Sequence, residues 1–499
     1  MEDKDIIKFG NKEFKSSLYQ KEIFTEIEQG CNNMVITAAA GSAKTTTIEN
    51  CLRFIPKDKK CLFLAFNRST VGKLKEEIET SLSNVKIMTF HGLGFRLLSE
   101  SNVIASNGDI IDDYKYINFV KNNILELSST YESLSKLDKI QYIDNINKLI
   151  NYSRYYISMT IKEIGRTAQK YGIIPIDDEY SVVRKVLIWG KNSLEKIDHT
   201  DMIWLPNVLN LEPKFLKFDF IFIDEAQDTT MAHQSMVDKC FKRSARFIAV
   251  GDIRQQINVW CGATEQAIEE YKKRPNTKQI SLPISYRCPK AIVNKAKQFA
   301  SNIEAATDAI EGEIRYDVSY NDAKEGDLIL CRVISKLVET YLNLLRNNKK
   351  AYLKGSEEVK EKCINYINAS QSKLIDYNCI TKDGLLPTLY NMFFEKKNKI
   401  MAEFNLEEEE TIYHSDLVEM YDCIEVIKTM AEGLTTVEEL LEKFNVIFNN
   451  GNTDGIQLST IHKAKGLEAD NVFILAHKYD RIKFCFLTLI AVNLPLIYR

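Results

Sequence analysis

Between residues 33 and 90 short apolar runs alternate with helix-like stretches, in the order MVITA, TTTIENCLRFI, CLFLAF, TVGKLKEEIETSL and VKIMTF. This alternation restricts the fold more than any other feature, because it is the pattern of βαβ units around a parallel sheet. It returns at FDFIFID and RFIAVGD, apolar runs of the buried-strand type. A first α/β lobe is therefore expected over 1–100 and 206–278. A helical insertion interrupts it over 101–205, where LDKIQYIDNINKLINYSRYYI has helical periodicity and strand signals nearly vanish. DLILCRV, a helix over VISKLVETYLNLLRNN, AYLKG and IQLST mark a second α/β lobe over 279–375 and 446–499, with a small helical insertion over 376–445. The run Glu407–Glu410 reads as a solvated helical face. A chain of 499 residues needs more than one core, since single cores rarely exceed about 250–300 residues.

Residues 36–49, ITAAAGSAKTTTIE, resemble a phosphate-binding loop of pattern G-x-x-x-x-G-K-[ST]. Lys44 and Thr45 are in place, while Ala38 and Ala43 stand at the two glycine positions. A strand ending at Ile36, a turn through Ala40, Gly41, Ser42 and Ala43, and a helix opening at Lys44, Thr45 and Thr46 would point backbone N–H groups at an anion, assisted by the helix dipole. Gly41 permits close approach. Left-handed backbone at Ala43 costs about 1–2 kcal/mol, which a loop held by its sheet can absorb. A plain small-residue helix entry fits this stretch equally well.

FDFIFIDEAQD delivers Asp224 and Glu225 at the carboxyl end of an apolar strand. One carboxylate is placed for magnesium and the next for an attacking water, the pair that phosphoanhydride hydrolysis requires. An acidic strand-to-loop turn is the blander reading, but it does not account for the run following a phosphate-loop candidate in the same lobe. In RFIAVGDIRQQINVWCGA, Gln255 is an uncharged donor and acceptor suited to sensing a terminal phosphate. Trp260 offers a face for base stacking, worth about 1–3 kcal/mol per base, or packs in a core.

Composition narrows the class. The formal charge of −3 and pI near 6.2 exclude a globally basic coat but leave a local basic channel open. Eleven cysteines are scattered singly, without C-x-x-C pairs or zinc spacing, so a reduced intracellular setting is expected and a metal knuckle is not. The N-terminal MEDKDIIKFG lacks a secretory apolar run, and no stretch approaches the roughly 18 apolar residues of a membrane span.

Taken in order, these stretches resemble a superfamily 1 DNA helicase of the UvrD/Rep type over most of the chain. SLYQ resembles the adenine-reading glutamine motif, with Gln20 as reader. AAAGSAKTTT resembles motif I in its A-x-A-G-[ST]-G-K-T form, where Ala38 is usual and only Ala43 departs. LAFNRST and TFHGLGFRLL resemble motifs Ia and Ib, which implies that Phe66, Asn67, Thr89 and His91 lie on the DNA side. DEAQD and GDIRQQI resemble motifs II and III. LPISYRCPKAIV resembles motif IV, so Tyr286 would stack near the adenine and Arg287 would reach the terminal phosphate; without the resemblance, Arg287 reads as a surface arginine before a proline turn. IQLSTIHKAKGLEADNVFIL resembles motif V, whose residues imply DNA contacts for Thr460, His462 and Lys465 and a ribose contact for Glu468.

The resemblance breaks at RIKFCFLTLIAVNLPLIYR. Ile490, Ala491 and Val492 match the start of the family's last motif, but Asn493 and Leu494 stand where Thr and a second arginine belong. A reading frame lost near 484–493, or a truncated gene, is the expectation, and neither Arg481 nor Arg499 is placed to substitute.

The resemblance implies two RecA-like P-loop lobes with parallel sheets, ATP between them, and magnesium on Thr45 and Asp224. Lys44, Asp224, Glu225, Gln255 and Arg287 would serve catalysis, and closure on ATP would ratchet single-stranded DNA 3′–5′. The implied partners are single-stranded DNA, or DNA with a single-stranded tail, and replication or repair proteins, with no membrane. The setting would be cytoplasm, or nucleus or virus factory for a eukaryotic, viral or phage source. Two rivals stand: an ATP-gated DNA-binding protein with weak or no turnover, and a P-loop ATPase acting on another substrate.

Overall fold

The computed structural model describes residues 3–9, 12–66, 68–79, 82–104, 110–134, 136–252, 254, 267–370, 379–380, 384–404, 415–448, 454–461, 463–464, 467–475 and 496–498. The chain divides into two compact units, Met1–Pro283 and Ile284–Arg499.

The first unit opens with a hairpin, β1 (Ile6–Phe9) and β2 (Lys12–Lys15), followed by helix α1 (Leu18–Gln29). Six strands form its sheet: β3 (Asn33–Ala38), β4 (Cys61–Ala65), β5 (Val85–Thr89), β6 (Phe218–Ile223), β7 (Phe241–Gly251) and β8 (Thr277–Leu282). All neighbours are parallel, in the order β5-β4-β6-β7-β3-β8. Strand alternation sorts the apolar residues into two cores. Met34, Ile36, Phe63, Phe222 and Ile248 face α1 and helix α2 (Lys44–Cys51), while Val35, Leu62, Leu64, Ile221 and Ile223 face the helix Phe90–Glu100. Both faces are thus covered, the condition under which parallel strands read as continuous apolar runs.

The hairpin is tied to α2 by reciprocal bonds. Lys8 N–H donates to Asn50 Oδ1 at 2.9 Å, and Asn50 Nδ2 donates back to Lys8 O at 2.9 Å. The C-terminal end of α1 is held by Arg246, whose guanidinium donates to the carbonyls of Glu26, Ile27, Gly30 and Asn32. Carbonyls at a helix end are those left without intrahelical partners.

Beyond Phe90–Glu100 and before β6, the helices Lys115–Leu127, Lys136–Tyr156, Ile161–Lys170, Glu179–Asn192 and His199–Val208 share a core with Leu149, Val183, Leu187 and Trp204. A buried charge cluster crosses it: Arg154 lies 2.7 Å from Asp198 and 3.1 Å from Asp201, and Lys115 lies 2.7 Å from Asp201.

The second unit carries another parallel six-stranded sheet. In spatial order its strands are Arg315–Tyr316, Leu496–Tyr498, Val472–Ile474, Leu328–Cys331, Ile456–Thr460 and Ala351–Leu353. The helix Ile334–Arg346 and the helices Ser356–Ser370, Leu385–Phe404, Ser415–Met430 and Val437–Phe448 bury Leu337, Cys363, Leu389, Ile427 and Phe444 in one cluster with sheet residues Ile329 and Leu458. The two α/β lobes with parallel sheets expected from the sequence are therefore present.

Two details differ from the expected boundaries. The limit at 278 falls inside β8, whose TKQISL alternates because it is an edge strand rather than a buried run. The helix Ser356–Ser370 packs on the helices of the small insertion, although it lies within 279–375, the range expected for the sheet-bearing part of the lobe. Among the described residues no helix is long and apolar enough to cross a membrane.

Candidate nucleotide and nucleic-acid site

The carboxyl edge of the first sheet gathers most of the predicted residues. After β3 the chain turns through Ala40, Gly41 and Ser42 into α2. Gly41 takes φ 71°, and Ala43 takes φ 56° with ψ 42°, the left-handed conformation that the sequence pattern requires of it. Ala43 is the N-cap of α2 and offers no side-chain cap. Ser42 is buried, and its Oγ has no hydrogen-bond partner among the described residues.

Lys44 Nζ lies 3.4 Å from both carboxylate oxygens of Glu225. Burial opposes its charge, but Glu225, Asp224 and Asp252 outweigh that cost and hold its pKa above the ordinary lysine value. Thr45 Oγ1 donates to Asp224 Oδ2 at 3.0 Å. Asp224 directly follows β6 and is raised to about pKa 6 by burial and by the neighbouring Glu225, against Lys44 and Thr45. Glu225 is left-handed at φ 52°, which directs the two consecutive carboxylates differently. Thr46 sits in the first turn of α2, and its carbonyl accepts from Asn50 Nδ2 at 2.8 Å.

Several residues in this cluster were not singled out from sequence. Gln227 Nε2 donates to Glu225 Oε2, while its oxygen accepts from the N–H of Asp252 at 3.1 Å, so one amide ties the ends of β6 and β7 together. Arg254 Nε lies 3.0 Å from Asp252 Oδ1. Thr47 donates its hydroxyl to Ala43 O at 2.8 Å. The signal for Gln227 was its place inside DEAQD, two residues beyond the glutamate it orients.

Gln20 is 1% exposed. Its oxygen accepts from Ser17 N–H at 2.9 Å in a capping box at the start of α1, and its nitrogen donates to Thr47 Oγ1 at 3.0 Å. The side chain is thus engaged within the protein at both its oxygen and its nitrogen.

Of the DNA-side candidates, Phe66, Thr89 and His91 stand over β4 and β5, at the end of the sheet away from the phosphate loop. Phe66 is half-buried, with its ring 4.8 Å from Phe90 and 5.6 Å from His233. Thr89 caps the helix Phe90–Glu100, accepting from Gly92 N–H at 3.0 Å. His91 meets His199 of the helical insertion edge-on at 5.7 Å. Its pKa is lowered by burial, then by His199 and Arg68, with Asp113 opposing. Asp113 in turn lies 2.6 Å from His199 Nδ1.

In the second unit, Arg287 Nε lies 3.1 Å from Glu468 Oε1, so the structure pairs a motif IV residue with a motif V residue. Tyr286 is 47% exposed. Thr460 ends the strand Ile456–Thr460, where its Oγ1 accepts from Lys463 N–H at 3.4 Å. Asn67, Gln255, Trp260, His462, Lys465, Arg481, 490–494 and Arg499 lie outside the described residues, as does the run Glu407–Glu410.

The residues fit a magnesium ion and a phosphate chain. Thr45 Oγ1 and Asp224 Oδ2, hydrogen-bonded to each other at 3.0 Å, are the two oxygens that would hold the ion. Magnesium usually takes one or two carboxylates, with phosphates and water completing its shell. Among the described residues no three His, Cys, Asp or Glu side chains form an all-protein cage, so the Thr45–Asp224 pair would depend on that completion. The orphaned Ser42 hydroxyl and the left-handed turn are the features of a loop shaped for an anion.

Residues 19–276 match the UvrD/REP helicase N-terminal domain, and 329–482 match the UvrD-like helicase C-terminal domain. The ATP-dependent DNA helicase Rep of Buchnera aphidicola subsp. Baizongia pistaciae is 26% identical over 306 residues, 57% of this chain and 42% of that protein. Rep of the Acyrthosiphon pisum subspecies is 24% identical over 336 residues, 60% of this chain and 49% of its own. The ATP-dependent DNA helicase PcrA of Bacillus subtilis is 26% identical over 291 residues, 54% of this chain and 37% of its own. The match thus spans less than half the length of each relative. With over half of its residues inside the first domain and the second following in order, the chain belongs to the UvrD/Rep helicase family.

Proposed function

We propose that this protein is an ATP hydrolase that drives movement along single-stranded DNA, 3′–5′, as a helicase or translocase. The observation that supports it most is the joining of Lys44 and Thr45 to Glu225 and Asp224 on a left-handed phosphate loop. Thr45 and Asp224 would hold magnesium, which when bound neutralises charge on the phosphate oxygens. Lys44 neutralises the terminal phosphates. Glu225, oriented by Gln227, accepts the proton of the attacking water, and Asp252 keeps Gln227 in place through its N–H. In this reading Gln255 senses the terminal phosphate, Arg287 stabilises charge developing on it and Glu468 meets the ribose. Phe66, Asn67, Thr89, His91, Trp260, Thr460 and His462 carry the DNA strand, and the protein works inside the cell.

ATP turnover of the purified chain with and without single-stranded DNA, beside Lys44→Ala, tests this. DNA-stimulated turnover that vanishes in the variant supports it. DNA binding without turnover would favour the gated binding protein instead, and turnover indifferent to DNA an ATPase acting elsewhere.

A further inference from the structure

We propose that Gln20 is a positioning residue for the phosphate loop, bracing the left-handed turn at Ala43 through the hydroxyl of Thr47. The inference rests on the nucleotide-site reading above and deepens it.

The hydrogen-bond directions are forced. The Ala43 carbonyl can only accept, and it does so from Thr47 N–H at 2.8 Å and from Thr47 Oγ1 at 2.8 Å. The single hydroxyl proton of Thr47 is therefore given to Ala43, and its lone pair accepts from Gln20 Nε2 at 3.0 Å. That fixes the amide orientation: nitrogen toward Thr47, oxygen toward Ser17, whose N–H lies 2.9 Å away. Gln20 is 1% exposed and Thr47 is fully buried, so water does not compete for these bonds.

A threonine hydroxyl bonding four residues back is ordinary inside a helix. Here, however, the acceptor is the left-handed residue that starts the helix, and the hydroxyl is gripped from a second helix, α1. Glycine adopts this conformation freely and alanine does not. Ala43 also lacks a side-chain cap that would favour the turn locally. A restraint from outside α2 supplies what a glycine at this position would make unnecessary.

The test uses the whole chain as wild type, Gln20→Ala, Ala43→Gly and the double variant, with Thr47→Val as a second way of removing the brace. Binding of fluorescent ATP and GTP analogues with magnesium is measured, and hydrogen exchange is followed over residues 39–51 without nucleotide. In the wild-type background, removing the brace should weaken both nucleotides by the same factor, about 5- to 30-fold, and speed exchange at Thr47. In the Ala43→Gly background both effects should shrink to within about twofold.

Selective loss of ATP against GTP in both backgrounds would overturn the proposal and make Gln20 a base reader. Equal loss in both backgrounds, or no loss, would overturn it as well. Exchange that behaves as expected in a chain that binds neither nucleotide would leave the brace standing and sink the proposed function.

Discussion

Thr45 and Asp224 arrive from strands that are not neighbours, β3 and β6 with β7 between them, yet their oxygens stand 3.0 Å apart. That distance is a hydrogen bond from the hydroxyl to the carboxylate, and the proposed function puts a magnesium ion on both oxygens. Thr45→Val keeps the shape and removes the oxygen. Magnesium-dependent nucleotide affinity should fall by at least the 10- to 100-fold, as an order of magnitude, that loss of an outer-shell partner costs. Thr45→Ser should stay near wild type. A magnesium titration of nucleotide binding checks both, and an unchanged Val variant would remove Thr45 from the site.

Glu225 is expected to separate binding from chemistry. Glu225→Gln keeps the size of the side chain but cannot accept a proton, so turnover should fall by about 10²–10⁴-fold while nucleotide still binds. Gly251→Ala should reach the same endpoint indirectly. A Cβ at 251 would stand 2.2 Å from Gln227 Oε1 and displace the amide that orients Glu225. Steady-state turnover beside a binding isotherm distinguishes these outcomes from loss of the nucleotide itself.

Much of this was legible because of what parallel strands demand. CLFLAF and FDFIFID are covered on both faces, so their apolar runs marked β4 and β6 without ambiguity, and Lys44, Thr45, Asp224 and Glu225 followed from the ends of such strands. The hairpin β1–β2 has a sequence signal of its own, Gly10-Asn11 between IIKF and KEFK. Other features carried no such signal. That Gln20 would turn inward to Thr47 depends on where α1 lies against α2, which no spacing within SLYQ encodes. The roles of Gln227 and Arg246 likewise depend on strand order, because each bridges segments distant in sequence.

Ala43→Gly sets two effects against each other. Glycine removes a left-handed cost of about 1–2 kcal/mol but adds roughly 0.5–1 kcal/mol of unfolded-state entropy. The gain should win narrowly, by between about zero and 1.5 kcal/mol. A small rise in melting temperature is expected, and Ala43→Val, β-branched at the same φ, should lower it.

Arg154 is 2% exposed and holds two aspartates in the first unit's helical insertion. Arg154→Met would leave Asp198 without its arginine partner and Asp201 paired with Lys115 at 2.7 Å. Breaking a buried pair from one side typically costs about 3–5 kcal/mol. Denaturant unfolding should show a loss of that order. A loss below about 1 kcal/mol would mean that the cluster repacks without its arginine.

Asp224 gives the site a pH dependence with a defined sign. Burial, then Glu225, raises its pKa from 3.8 to about 6. Folding therefore favours the protonated carboxyl: this contribution to stability is complete below about pH 3.8 and is lost as the pH rises through about 6. In the absence of nucleotide, Asp224→Asn should stabilise the protein near pH 8, by an amount that shrinks toward pH 5. Magnesium runs the other way, because it requires the carboxylate. Magnesium-dependent nucleotide binding should strengthen as the pH rises through about 6 and level off above about 7. Thermal melts of both proteins across this range, with magnesium titrations of the wild type, measure the two trends. Magnesium affinity that is flat from about pH 5.5 to 7.5 would mean that Asp224 is ionised throughout that range or is not a ligand.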